Sequence, residues 1–266
     1  MIKMFLLATA VATPALSQGL TQDDVVQGQF RAGWQTAPGA HISALHLELA
    51  QGWKTYWRAP GDAGIPPSFD WSGSSNLKSV RFHWPAPEVF HTAGMQTVGY
   101  HHRLVLPIEV EALDPAKPVT LRATVDLGVC KDICMPASLA LSADLTIPGK
   151  ADQVISAALQ ARPATAKEAG LRAIACAVEP IRDGLRVTAR MTLPQQGRSE
   201  VVMIEPGQPG VWVSEAVVQR SGGDLVATVD MVPPSGQPFA LTRSQVRITV
   251  IGQPGRAVDI LGCPAG

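Results

Sequence analysis

The residues best equipped for chemistry lie in "DLGVCKDICMPASLAL", residues 126–141, where Cys130 and Cys134 stand with three residues between them. A thiol pair at this spacing has three uses: a structural bridge, half of a thiolate metal site, or a redox pair that exchanges with other thiols. The short intervening chain easily brings both Cα atoms within the roughly 5.5 Å that a disulfide prefers. So small a ring removes little entropy from the unfolded chain and is a poor staple. At an exposed strand end it is expected to be strained and reducible, as labile and catalytic disulfides are. Lys131 favours a neighbouring thiolate and Asp132 opposes one. The spacing alone leaves all three uses open.

The other two cysteines, Cys176 and Cys263, carry no local redox motif. Cys176 shares one face of an alternating run with Ile174 and Val178, and Cys263 ends the last strand-like segment, "VDILGC". They are expected to bridge the first and last strands of a second domain, worth roughly 4–5 kcal/mol in the chain-entropy account, less any strain. Other site chemistries have no pattern here. There is no Ser/His/Asp order, calcium loop or H-E-x-x-H zinc motif. "RAPGDAGIPPS" reads as a rigid loop without a phosphate cradle, His101 and His102 as solvated or packed residues, and Trp53, Trp57, Trp71 and Trp84 as packing residues.

The elements that must hold these cysteines are strands. Apolar residues alternate in "HISALHLEL" (Leu45, Leu47, Leu49), "VRFHW" (Val80, Phe82, Trp84) and "RLVLPIEV" (Leu104, Leu106, Ile108, Val110). They alternate again in "LRATVDLGV" (Leu121 to Val129) and "SLALSADLTI" (Leu139, Leu141, Leu145, Ile147). Period two marks half-buried strands. Many such strands between Pro/Gly turns indicate an antiparallel sandwich. Val125, Leu127 and Val129 should face the core, so Cys130 should face outward and be accessible. Residues 151–170 break the pattern with helical spacing at Val154, Ala157 and Ala158, stopped by Pro163. Alternation resumes in "GLRVTARMTL", and "IRDGLR", "RSGGDL" and "GQPGRA" read as hairpin turns. The expected class is all-β: two immunoglobulin-like β-sandwich domains, residues 18–148 and 171–266, joined by a short helical linker at 149–170. The second domain is expected to serve as scaffold or docking surface.

The start, "MIKMFLLATAVATPALSQ", has a basic Lys3, a short apolar stretch and small residues before Gln18, the pattern of a secretory signal peptide over residues 1–17. No later segment approaches the ~20 apolar residues of a membrane span, so no stable membrane insertion is expected. An exported chain tends to have oxidised thiols. Four cysteines in 266 residues are too sparse for a disulfide-held miniature, so apolar burial must supply the core. Without Lys3 the chain has 21 basic against 22 acidic residues and no basic run. Nucleic acid and anionic membrane surfaces are therefore poor partners.

The succession "GWKTYWRAPGDAGIPPSFDW", "WPAPEVF", "GYHHRLVLPIEV" and "VCKDICMPA" resembles the N-terminal periplasmic domain of the disulfide reductase DsbD, nearest the ScsB-type and stand-alone DsbD-like branch, over residues 28–148. That resemblance implies an immunoglobulin-like sandwich in which Cys130 and Cys134 are the catalytic redox pair. It implies a periplasmic electron relay, without cofactor, from a membrane or thioredoxin-like donor to a periplasmic disulfide isomerase or cytochrome-maturation thiol protein. Tyr56 and Trp57 match the aromatic segment beside the pair. Residues 90–100, with Phe90, His91, Met95 and Tyr100, match the loop that caps it. Two departures stand out: the family cysteines are more widely spaced, and the family cap carries its aromatic in mid-loop. The chain also lacks a membrane domain and a thioredoxin-like C-x-x-C, so the donor is expected to be a separate protein. With such a cap, His91 and Met95 would approach Cys130, Cys134 and Met135. This soft ligand set suits Cu(I), giving a copper-binding or metallochaperone alternative; Met95 as a mere shield is the simpler expectation. A non-catalytic interaction module is the third reading.

Overall fold

The structure, a computed structural model, describes residues 19–92 and 94–266. The expected signal peptide lies outside the described residues. A short helix α1 (Gln22–Val25) leads into ten strands: β1 (Val26–Ala37), β2 (Ala40–Leu49), β3 (Lys54–Tyr56), β4 (Ser68–Asp70), β5 (Leu77–Phe82), β6 (Glu88–Thr92), β7 (Met95–His101), β8 (Arg103–Ala112), β9 (Val119–Cys130) and β10 (Cys134–Leu145). They form two facing sheets, ordered β1-β2-β8-β5 and β10-β9-β3-β7-β6, with β4 paired to β9. The alternation explains the layering: Leu121, Val125, Leu127 and Val129 of β9 meet Leu45, Leu47, Leu106 and Ile108 of the other sheet in one buried core.

Helix α2 (Gln153–Gln160) follows. Asp152 caps it, its carboxylate accepting from the backbone N–H groups of Val154 and Ile155, and pairs with Arg31 at 2.7 Å. Ile155 and Ala158 pack onto Ile42, Ala44 and Val105, the outer face of β2 and β8. The helix is thus fastened to the first sandwich. The chain beyond it, β11 (Ala164–Thr165), already pairs with the second sandwich.

That second unit contains β12 (Ala173–Ile181), β13 (Gly184–Thr192), β14 (Val201–Glu205), β15 (Trp212–Val213), β16 (Val217–Ser221), β17 (Asp224–Val232), β18 (Arg247–Ile251) and β19 (Ala257–Leu261). Its sheets run β11-β19-β18-β14 and β12-β13-β17-β15, with β16 on β17. The turns at Arg182–Asp183 and Gly222–Gly223 close two-residue hairpins, as the sequence predicts. Cys176 and Cys263 are bridged with Cα atoms 5.5 Å apart, both in the core of this sandwich. The Arg243 guanidinium donates to both of their carbonyls, at 2.9 and 3.2 Å. Ile251 and Ala257 of the second sandwich join the core cluster of the first, so the two units are packed together.

Strand β10 lies at a sheet edge. There the Gln22 side-chain amide stands in for a neighbouring strand, accepting from the Ser138 N–H at 2.8 Å and donating to its carbonyl at 3.2 Å. Among the described residues no helix is long and apolar enough to cross a membrane.

Candidate functional site

Strands β9 and β10 form a hairpin in which Cys130 and Cys134 face each other across the ladder, Cα atoms 4.1 Å apart, joined as a disulfide. Three residues close the turn, Lys131 N–H donating to the Ile133 carbonyl. The two sulfur-bearing residues differ sharply in exposure. Cys130 is 2 % exposed, whereas Cys134 is exposed and sits beside Ile133, itself 61 % exposed.

The burial of Cys130 corrects the expectation that it would be accessible. Register places it on the face opposite Val129, as alternation requires, but that face is covered. Strand β3 inserts between β9 and β7, pairing Thr55 with Val129 and Tyr100. The Thr55 hydroxyl donates to the Gly128 carbonyl at 3.0 Å, fixing the register. Tyr56 then lies over Gly128, and its hydroxyl donates to Cys130 Sγ at 3.0 Å and lies 3.6 Å from Cys134 Sγ. Ile65, returning from the loop after β3, closes the cover. A Cβ at position 128 would come within 2.7 Å of Ile65 Cβ and 3.2 Å of the Tyr56 ring. Glycine is required there by close approach, which an isolated glycine in a strand signals. Burial also raises the Tyr56 hydroxyl above the ordinary phenol range, so it remains a proton donor at neutral pH.

The remaining sequence-predicted residues divide by face. Trp57 is fully buried in the core, on the far side of the sheet from the sulfurs, with the Arg58 guanidinium 4.0 Å over its ring. Tyr100 is also in the core; its hydroxyl donates to the Pro85 carbonyl and its ring stacks near Trp84. Phe90 does lie on the sulfur face. It meets His101 edge-on at 4.2 Å and the Lys54 ammonium at 5.1 Å, and Lys54 stands opposite Cys130 in the ladder. His91 and Met95 flank the β6–β7 turn and are exposed, Met95 by 52 %. Met135 packs against the core, on the face away from Cys134. The proposed copper ligands are thus spread over two faces, and among the described residues no three His, Cys, Asp or Glu side chains converge on a metal position. Sequence reasoning missed Ile65, Gly128, Lys54 and Ile133. The isolated glycine in "DLGVC" was the available signal.

A matching family profile, described as the N-terminal domain of the thiol:disulfide interchange protein DsbD, covers residues 22–145. These residues are a DsbD N-terminal-like domain. Among solved structures, the N-terminal periplasmic domain of ScsB from Proteus mirabilis aligns with a TM-score of 0.68 at 23 % identity, over 93 % of this chain and 97 % of that one. The fold is therefore shared across both sandwiches. The DsbD N-terminal domain of Neisseria meningitidis, in its reduced form, aligns over 48 % of this chain and 89 % of its own at 18 % identity, with a TM-score of 0.27, too low for a common arrangement to be read from it. No curated protein sequence matches. In this DsbD N-terminal-like domain the Cys130–Cys134 disulfide sits at the end of an edge hairpin, one sulfur covered and the other open.

Proposed function

We propose that the chain is a periplasmic thiol-disulfide interchange protein that relays electrons through Cys130 and Cys134. The observation that carries this reading is the asymmetry of the pair: an exposed Cys134 and a covered Cys130 whose sulfur accepts a hydrogen bond from Tyr56. Exchange requires in-line access to one sulfur and a stable leaving thiolate on the other. A donor dithiol attacks Cys134 Sγ through one thiolate. The Cys130–Cys134 bond breaks, a Cys134–donor disulfide forms, and the electron pair leaves on Cys130, where the Tyr56 hydroxyl donates to the new thiolate. The donor's second thiolate attacks its own half of the mixed disulfide and releases Cys134. The donor is oxidised, and Cys130 and Cys134 have gained two electrons and, after protonation, two protons. In the return half Cys134 attacks an acceptor disulfide and Cys130 resolves the intermediate. The donor is a membrane or thioredoxin-like protein. The acceptor is a periplasmic disulfide isomerase or cytochrome-maturation thiol protein.

Alkylation and mass spectrometry across glutathione redox buffers test this. Cys130–Cys134 should titrate above about −300 mV, the region of exchangeable disulfides, while Cys176–Cys263 stays oxidised. In parallel, Cys130→Ala should trap a thiol protein on Cys134 as a mixed disulfide. A potential below that bound, or no trapped partner, would sink the relay.

A further inference from the structure

The segment that follows Tyr56 and covers Gly128, two residues before Cys130 on the same face, also touches the second sandwich. Residues 57–68, "WRAPGDAGIPPS", contain Pro60, Pro66 and Pro67, whose fixed φ leaves the loop few ways to bend. On one side Ile65 sits on Gly128, and Gly64 packs against Pro60 and the Tyr56 ring. On the other side two polar side chains cross to the second unit. The Arg58 guanidinium forks onto Glu205 at the end of β14, Nε to Oε1 at 3.0 Å and Nη2 to Oε2 at 2.9 Å. It also reaches the Thr249 hydroxyl of β18 at 3.5 Å and lies 3.9 Å from the Asp259 carboxylate of β19. Arg58 and Glu205 are 17 % and 24 % exposed, shielded enough for a two-point charged contact to be strong and directional. Four residues on, the Asp62 carboxylate accepts from the Trp212 indole N–H at 3.1 Å. Beside the loop lies an open cleft of about 610 Å³, lined by Pro60, Pro66, Met203, Pro209 and Trp212 among others. The loop therefore has space to leave Gly128 once its contacts with the second sandwich are released.

We infer that the second sandwich holds the redox cover in place: Arg58–Glu205 and Asp62–Trp212 are two latches that keep Ile65 on Gly128 and Gly64 against the Tyr56 ring, beside Cys130, and so direct thiol attack to Cys134. The inference rests on the interchange reading of the pair and assigns the second unit a part in it. The covered sulfur is closed by a loop whose far side is anchored 140 or more residues away in sequence, Asp62 and Trp212 being separated by 150 and Arg58 and Glu205 by 147. Glu205, Arg58, Asp62 and Trp212 are positioning residues; none touches a sulfur. Two of them sit on the loop and two on the second sandwich, so a change made only in the second sandwich should alter chemistry at Cys130.

The test uses the full oxidised chain with excess reduced glutathione, acid quenching, and peptide mapping to locate the glutathione adduct. In the wild type the adduct should form at Cys134 alone. Glu205→Ala should yield adducts at Cys130 as well and speed reduction of the pair about fivefold, the size expected when one shielded charged contact is lost. Trp212→Phe keeps an aromatic ring at this position and removes the indole N–H together with the five-membered half of the side chain. It should give the same change of site with a rate gain of about twofold, in keeping with one neutral donor lost. Arg58→Ala combined with Glu205→Ala should do no more than Arg58→Ala alone, because the Glu205 contact is already lost with Arg58. Adducts confined to Cys134 at the wild-type rate in folded Glu205→Ala or, should that variant not fold, in Trp212→Phe would overturn the latch and leave the interchange reading standing. A wild type that forms no adduct at either sulfur would overturn both.

Discussion

The two disulfides of this chain sit in similar sandwiches and are built for opposite ends. Cys176–Cys263 joins residues 87 apart, with both cysteines in the core and both carbonyls held by Arg243. Cys130–Cys134 joins residues four apart at the end of an edge hairpin, with Cys134 exposed. The first closes a loop long enough to restrict the unfolded chain and offers no sulfur to solvent. The second closes almost nothing, and its one open sulfur is opposed by a buried partner under a hydroxyl donor. Loop length and access, rather than the presence of a disulfide, separate the staple from the exchange site proposed above.

The largest effect expected on this contrast is from Cys134→Ser, which should abolish mixed-disulfide formation, whereas Cys130→Ser should still form the adduct and fail to resolve it. Intact-mass analysis after incubation with an oxidised thiol reagent distinguishes the two, and adducts in Cys134→Ser at the rate of Cys130→Ser would reverse the assignment of the open sulfur. Next, replacing Cys176 and Cys263 together with Ala should cost about 2–5 kcal/mol in urea unfolding and leave exchange at Cys134 untouched. Loss of exchange with stability preserved would mean that the two pairs have each other's roles.

Tyr56→Phe is the third. It keeps the ring over Gly128 but removes the donor to Cys130 Sγ, so the leaving thiolate is less stabilised. Attack at Cys134 should slow roughly tenfold, the scale of one hydrogen bond to a charged group. Because burial raises the Tyr56 ionisation, the donor is present below the usual phenol value of about 10 and is lost only as pH rises beyond it. Stopped-flow rates from pH 6 to 9 should therefore carry no inflection from Tyr56, and one that vanishes in Tyr56→Phe would contradict the assignment. The smallest effect is at Gly262, which precedes Cys263 with φ of +93° and open space around it. Gly262→Ala should cost about 1 kcal/mol through backbone strain alone, visible as a shifted urea midpoint, with exchange unchanged.

The strands around the exchange site were legible because their two faces differ. In β8 and β9 the residues Leu104 to Val110 and Leu121 to Val129 alternate into a shared core, and period two is all that a half-buried strand needs to declare itself. Chain reach permitted the pairing of Cys130 with Cys134, and the family resemblance, rather than the spacing, singled it out. What alternation could not tell was what lies on the outward face. Cys130 lies under Tyr56, 74 positions upstream on a strand of only three residues, and Ile65, in the loop after it, sits on neighbouring Gly128. Neither has a periodic signal. Helix α2 was read from its spacing, but its packing on Ile42, Ala44 and Val105 depends on the outer face of β2 being as apolar as its inner one. The aromatic residues near the pair could not be sorted by type: Tyr56 covers sulfur, while Trp57 and Tyr100 belong to the core.

The Gln22 amide on Ser138 has a consequence for solubility. An open sulfur at the start of an edge strand invites more than thiol exchange, because unpaired backbone groups along that edge are a template on which another chain can add a strand. Gln22 occupies the N–H and C=O of Ser138, and Pro136, two residues nearer Cys134, has no N–H to offer. Between them they interrupt the adhesive edge of β10 at Pro136 and Ser138, next to the Cys134 end. The end of the hairpin that opens a sulfur to small thiols is thereby made less open to an added strand.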